Sequence, residues 1–341
     1  MTTRRRFLKI SASAFAAGVA SPFVISPARA QTLSLRVQGF LAAASPTHRA
    51  FEKLAADLKE KSGGRLVIQA LPAGAAVGPS ETINAIAAGI LDGHYSSSSF
   101  FAARDAGFTV FGDTGASYDT VDQRDRWYLE GGGEDLGREL YAQHGLVYVA
   151  NIFWPSEHIP AKRALKGVAD LKGLKIRVPP GFVAEYFGRA GASVVNLPGG
   201  EVFNALQSGV LDATDWASPG QNYEVGLYKA AKFSVDAAHS MPATELAISK
   251  TKWEALPAEI RALVTTEVRA MSTALKAQIK KDDGDALAKM KAEGVEIITW
   301  PKDEIGKLRA FTNEVQDTLA AKSPIARKVV DSHRAFQKKI G

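Results

Sequence analysis

One eleven-residue pattern occurs twice in this chain and limits its architecture more than any other feature. Ile83 to Gly93 reads INAIAAGILDG and Phe203 to Ala213 reads FNALQSGVLDA, with Asn, Ala, Gly, Leu and Asp at matching places. Each copy is a short helix, a glycine where a helix closes, and the start of a strand. Upstream of each, a strand runs into a proline-glycine corner, LVIQALPAG in the first copy and LKIRVPPG in the second. The second copy carries an extra piece from Phe182 to Pro198, a helix ending at Gly191 plus the strand SVVNL. Two similar half-chains imply two similar α/β domains.

The flanking chain supports this division. TLSLRVQ, from Thr32 to Gln38, alternates as an opening strand, and Ser45-Pro46 starts a helix with Phe51, Leu54, Ala55 and Leu58 on one face, stopped by Gly63-Gly64. With RLVIQAL, a helix from Glu81 to Ala88 and ILDGHYS, the order is strand, helix, strand, helix, strand, which predicts mainly parallel pairing. Tyr118 to Gln143 is a helical stretch, LVYVANIFW leads into the second domain, and KFSVDAAHSMPATELAIS is long enough to return. Two crossings between the same lobes make a hinge around a central cleft. Pro257 to about Ala292 reads as one long helix, VEIITW as a strand, and Pro301 to Ile340 as two helices broken at Ser323-Pro324. The expected division is a leader over residues 1–30, lobe I over 31–153 with 243–300, lobe II over 154–242, and C-terminal helices over 301–341 packing on the lobes.

The formal net charge of +6 would suggest a polyanionic partner if it were spread over the chain. Arg4, Arg5, Arg6, Lys9 and Arg29 instead lie in the first thirty residues, which hold no acid, so the remainder carries about +1 and needs no nucleic acid. That leader has paired arginines, a small and apolar run from Ile10 to Ile25, and Ala28-Arg29-Ala30 before Gln31. It reads as a Tat-type export signal cleaved near Ala30, which places the protein in the periplasm. The chain has no cysteine, so cysteine nucleophiles, cysteine zinc sites and iron-sulfur clusters are excluded.

Enzyme templates fare poorly. G-x-S-x-G, H-E-x-x-H and a phosphate-binding loop are absent, and GGGEDLG, Gly131 to Gly137, has the wrong spacing for a dinucleotide fingerprint. His48, His94, His144, His158, His239 and His333 never sit at ligand spacing and read as surface or core histidines. In KIRV the alternation puts Ile176 and Val178 on one face and Arg177 on the other, beside the corner that ends the strand. Arg177 there is either an ion-pair partner or an anion clamp, since a guanidinium grips a carboxylate through two parallel hydrogen bonds. Asp215 and Trp216 end the second repeat as either a strand end with a core tryptophan or a hard-oxygen cation site.

DLKGLKIRVPPG, LPGGEVFNALQSGVLDATDW and TKWEALPAEIRALV together resemble the substrate-binding proteins of tripartite ATP-independent periplasmic (TRAP) transporters, the DctP family, from about Leu33 to beyond Ala292. The resemblance implies a two-lobed periplasmic-binding-protein type II fold with long C-terminal helices, closing on an organic anion and working with a small and a large membrane subunit. It makes Arg177 the expected carboxylate clamp. LPGGEVF and NYEVGLYKAAKF look like the branch that binds 2-oxo and 2-hydroxy acids, in which an acidic residue followed by an aromatic helps hold a cation bridging the ligand carboxylate. Asp215 and Trp216 match that pair, with Na⁺ or Ca²⁺ as the ion. A glutamine ligand expected before DLKG has no match in FWPSEHIPAKR, which offers Ser156 or Glu157, and the acidic residue expected after His239 is missing.

By the same resemblance Phe40, the turn Val77-Gly78-Pro79, and Tyr95 with SSSSFF line the first-lobe wall, and Asn204 belongs to the ligand-binding set. Phe153, Trp154 and Trp216 would admit a bulky or aromatic acid. The implied function is an extracytoplasmic receptor for a small organic carboxylate, monomer or homodimer, and not an enzyme. Two alternatives are a periplasmic lyase using Asp215 as base and a ligand-presenting sensor partner.

Overall fold

The computed structural model describes residues 32–340 except 180 and 198, so the leader and its cleavage site lie outside the described residues. Strands β1 (Leu33–Gly39), β2 (Leu66–Leu71), β3 (Gly93–Ser96) and β4 (Leu146–Ile152) alternate with helices α1 (Pro46–Lys61), α2 (Thr82–Ala87), α3 (Ala106–Gly112), α4 (Val121–Glu130) and α5 (Gly133–Ala142). The second half supplies β5 (Ile159–Ala161), β6 (Lys175–Arg177), α6 (Phe182–Arg189), β7 (Ser193–Val195), α7 (Val202–Ser208), β8 (Ala213–Thr214), α8 (Pro219–Glu224) and β9 (Phe233–Asp236). After β10 (Thr244–Ser249) and α9 (Lys250–Glu254) come α10 (Ala258–Ala292), β11 (Glu296–Thr299), α11 (Lys302–Ala320) and α12 (Pro324–Ile340).

The first sheet has the order β2-β1-β3-β10-β4 and the second, from its other end, β7-β6-β8-β5-β9-β11. The eleven-residue duplication is therefore a duplication of topology, with β2-β1-β3 matching β7-β6-β8. The counterpart of LKIRV is β1 and not LVIQAL, and α6 with β7 is the counterpart of α1 with β2 and not an extra piece. In each lobe three parallel strands are followed by an antiparallel one that has just crossed from the other lobe, β10 in the first and β5 in the second. The expected parallel pairing holds for β1, β2 and β3, and the strands that arrive from the other lobe are the antiparallel ones. A chain arriving from the opposite lobe enters at the cleft edge and must run away from it, which reverses its direction.

The repeated aspartate has a structural task in both copies. Asp92 donates its N–H to the Arg36 carbonyl at 2.8 Å, while its Oδ2 accepts the Arg36 N–H at 2.8 Å. Asp212 forms the same pair with Lys175, at 2.8 and 3.0 Å. Gly89 and Gly209 precede them at φ of 71° and 82°, in the left-handed region where a side chain would be strained.

Three expectations of detail change. The helical stretch from Tyr118 divides into α4 and α5 at Gly131-Gly132, where Gly132 has φ of 86°. KFSVDAAHSMPATELAIS is two strands in different sheets, β9 and β10, joined by a buried crossover. The sequence pattern places residues 296–299 in lobe I, but β11 pairs in parallel with β9 in the second sheet, which corrects the 243–300 boundary. The reason is the length of α10, about 50 Å at the usual rise. It packs on α1 and β4 at one end and on α8 and β11 at the other, returning the chain to the second lobe.

The interior follows from amphipathic faces. Phe51, Leu54 and Leu58 of α1 and Val264 and Val268 of α10 are buried with Leu35, Val37 and Leu246 on one side of the first sheet. Each such side chain contributes about 1.5 to 3 kcal/mol. α11 packs on α6 and α3, and α12 on α3 and α5, so the C-terminal helices bind residues of both sheets into one apolar cluster.

Candidate functional site

The site grows from the C-terminal ends of β6 and β8. Ile176 and Val178 are buried on one face of β6, leaving Arg177 half-buried on the other. Its Nε donates to the Leu197 carbonyl at 3.2 Å and its Nη1 to the Asp215 carbonyl at 3.0 Å. The Trp216 ring lies against the guanidinium, with Cζ 5.2 Å from the ring centre. That indole has room because residue 199 is glycine, where a Cβ would stand 2.6 Å from its Cη2. Burial draws the Arg177 pKa below its ordinary value while Asp215 and Glu157 pull it back, and a guanidinium stays charged throughout. Two of its five N–H groups hold the scaffold, and Nη2 has no partner among the described residues.

Beneath Arg177 lies a buried acid cluster. Asp215 Oδ1 is 3.0 Å from His239 Nε2, and both side chains are buried. Ser240 Oγ lies 2.8 Å from Asp113 Oδ2 and 2.9 Å from Glu157 Oε2. One hydroxyl carries one proton, so it can donate to only one of these carboxyls and must accept from the other, which is then protonated. Burial raises both carboxyls, Asp113 above its ordinary value and Glu157 well above it, with repulsion from Asp215 and Asp113 adding to Glu157. The Trp154 indole donates to Glu157 Oε1 at 3.2 Å. Burial alone would raise Asp215 as well, but His239, Glu157 and Arg177 bring it below the usual carboxylate range. The neighbouring carboxyls are thus pushed in opposite directions, Asp215 down and Glu157 up.

The chain reaches this geometry through a sharp crossover. Ala238 adopts φ of 47°, the left-handed region that costs a residue with a Cβ about 1 kcal/mol or more, immediately before His239. The His239 carbonyl accepts the Tyr186 hydroxyl, and its ring is tilted against Phe187.

The first lobe supplies an aromatic wall. The Phe40 ring centre lies 5.5 Å from Tyr95, 5.9 Å from Phe100 and 5.5 Å from Trp154. Through the Trp154 indole this wall joins the acid cluster. Val77 is fixed by Gln38, which donates to its carbonyl at 2.8 Å and accepts the Ala76 and Val77 N–H groups.

The structure thus brings Arg177, Asp215, Trp216, Glu157 and Trp154 together, with Phe40 beside Trp154 and Tyr95 packed against Phe40. Asn204 stays apart: it is exposed on α7, whose buried side is Val202, Ala205 and Leu206. Phe153 is buried rather than set in the wall, with Arg124 and Lys276 over its ring at 5.7 and 5.3 Å. Asp113, His239 and Ser240 were missed, because each arrives from a segment remote in sequence. The HSMP turn gave no sign that its histidine meets an aspartate.

A cation would find one suitable oxygen. Asp215 Oδ2 is buried and accepts no N–H or hydroxyl among the described residues, and the Glu157 carboxyl is within hydrogen-bonding reach of the Asp215 side chain. No group of three His, Cys, Asp or Glu residues there could hold a metal, so further oxygens would have to come from a backbone carbonyl and the bound anion.

A family model, DctP, bacterial extracellular solute-binding protein, family 7, matches residues 37–323. The chain belongs to the DctP family. Among curated relatives of this DctP protein is the monocarboxylate 2-oxoacid-binding periplasmic protein of Nostoc sp., 26% identical over 85% of this chain and 80% of the relative. A TRAP periplasmic solute-binding protein from Rhodobacter sphaeroides, solved in an apo open form, is 32% identical with a TM-score of 0.79, covering 90% of this chain and 98% of that one. Another, from Pseudoalteromonas atlantica with bound sodium and pyruvate, is 25% identical with a TM-score of 0.77, covering 91% and 95%. This DctP protein is accordingly a TRAP solute receptor.

Proposed function

We propose that this DctP protein captures a small 2-oxo or 2-hydroxy monocarboxylate in the cleft between its lobes, closes on it, and delivers it unchanged to the small and large membrane subunits of a TRAP transporter. The observation that carries this reading is the state of Arg177. Two of its donors are tied to the Leu197 and Asp215 carbonyls, which orients the guanidinium, and the rest of the fork suits a carboxylate. Asp215 Oδ2 and the Trp216 carbonyl, with Glu157 beside them, would hold Na⁺ or Ca²⁺ against the same anion, and the ion would neutralise the repulsion between ligand and Asp215. The Phe40, Phe100 and Trp154 wall favours an acid whose far end is apolar, including an aromatic one.

The lobes in this reading are 31–153 with 243–295 and 154–242 with 296–300, the leader 1–30 is removed near Ala30 after Tat export, and the receptor is a monomer or homodimer. A thermal-shift screen of pyruvate, lactate, phenylpyruvate, picolinate, succinate and galacturonate, each with and without Ca²⁺ or Na⁺, tests it. Stabilisation by at least one 2-oxo or 2-hydroxy acid is expected. Stabilisation only by dicarboxylates or sugar acids would overturn the ligand assignment.

A further inference from the structure

Arg124 has no part in the grip described above, yet it is fully buried on α4. Its Nη1 donates to the Pro242 carbonyl and its Nη2 to the Trp154 carbonyl at 2.9 Å. These carbonyls belong to the two different crossovers, Pro242 between β9 and β10 and Trp154 between β4 and β5. The remaining edge of the guanidinium is held by Asp125, whose Oδ1 accepts Nε at 3.1 Å and Nη2 at 2.6 Å. Lys276 of α10 reaches Asp125 at 2.7 Å and Asp122 at 2.6 Å, which ties α4 to the helix that runs between the lobes. Phe153 packs under both cations.

We propose that Arg124 is the pivot of lobe closure, a positioning residue that pins both crossovers at one point. With both carbonyls held on one rigid planar group, the crossovers cannot slide past each other, and relative motion of the lobes is confined to torsion on either side of the pin. A lysine ammonium is a point charge without that planar fork and could not set the same geometry. The pin also fixes the backbone of Trp154, whose indole donates to Glu157, so the closing motion and the acid cluster share a residue. This inference rests on reading the crossovers as a hinge and is independent of which anion is bound.

The chain has no cysteine, so Lys53→Cys on α1 and Lys172→Cys in the second lobe, both exposed, accept spin labels cleanly. The inter-lobe distance distribution of the ligand-free protein is measured by pulsed electron paramagnetic resonance in the parent, in Arg124→Lys and in Arg124→Gln. The expected result is a distribution at least twofold broader in both variants. A merely structural role would lower Tm and leave the width unchanged, and a folded Arg124→Gln protein of parental width overturns the proposal. If neither variant folds, Lys276→Met decides. It removes the ion pairs that hold Asp125 and should broaden the distribution by a smaller factor, and a parental width there overturns the proposal too. Because the readout needs no ligand, failure of pyruvate to bind would count against the ligand assignment and not against the pivot.

Discussion

Gln38 and Arg177 occupy the same position in two copies of one strand arrangement, Gln38 opposite His94 on β3 and Arg177 opposite Thr214 on β8. Each reaches sideways to hold the loop after the neighbouring strand, Gln38 through the Val77 carbonyl and Arg177 through the Leu197 carbonyl. The difference lies in what is left over. The glutamine amide makes three bonds to its loop, whereas the guanidinium holds its loop with one N–H of five. The same scaffold position is a closed clasp in one lobe and a charged, donor-rich group in the other.

Removing that group should remove binding. Arg177→Ala is expected to lower affinity for the bound acid by about 100-fold or more, the scale of losing charge-assisted hydrogen bonds to a carboxylate. Arg177→Lys should recover only a small part of it. Isothermal titration with the acid found by thermal shift checks both, and near-parental affinity in Arg177→Ala would remove this residue from the site.

Gly199→Ala tests the tryptophan backing independently of charge. The added methyl would meet Trp216 at 2.6 Å and push the indole off the guanidinium. Affinity should fall by about tenfold, the worth of a partly desolvated cation–π contact, with a smaller change in Tm. Equal affinity in the two proteins would mean that Trp216 does not orient Arg177.

Asp215→Asn should uncouple anion binding from cations. If Asp215 Oδ2 helps hold Na⁺ or Ca²⁺, added cation strengthens binding in the parent and has no effect in the variant. A cation response that survives the substitution would place the ion elsewhere.

A separate prediction concerns stability alone. Glu245 is buried on β10, accepts the Tyr141 hydroxyl at 2.5 Å and Ser98 Oγ at 3.1 Å, and burial pushes its pKa up to about 8. Its ordinary value is 4.5, so between these two pH values the folded protein holds a proton that the unfolded chain has lost. Stability from this group is therefore present at low pH and declines as pH rises from about 4.5 to 8. Glu245→Gln should flatten that decline, seen as a smaller Tm difference between pH 5 and pH 9 than in the parent. An unchanged difference would mean that Glu245 is not the group that titrates.

What the sequence determined is the part that depends on local pattern. The repeated INAIAAGILDG and FNALQSGVLDA segments contain their own helix, glycine cap and strand, so two like lobes could be read directly, and the DLKGLKIRV alternation put Arg177 off the buried face of its strand. Tertiary structure decided what depends on segments meeting. Asp113, Glu157, Asp215, His239 and Ser240 come from chain positions more than a hundred residues apart at the extremes, and only the two crossovers bring them into one buried cluster. Their charge states follow from that meeting, because a carboxyl out of water takes its pKa from its neighbours. The same holds for β11, whose pattern marks a strand but whose sheet was chosen by the length of α10. Arg124 lies furthest from sequence reading. An arginine in a charged helix, DQRDRW, has nothing local to distinguish it, and it acquires its partners only when two crossovers pass on either side of it.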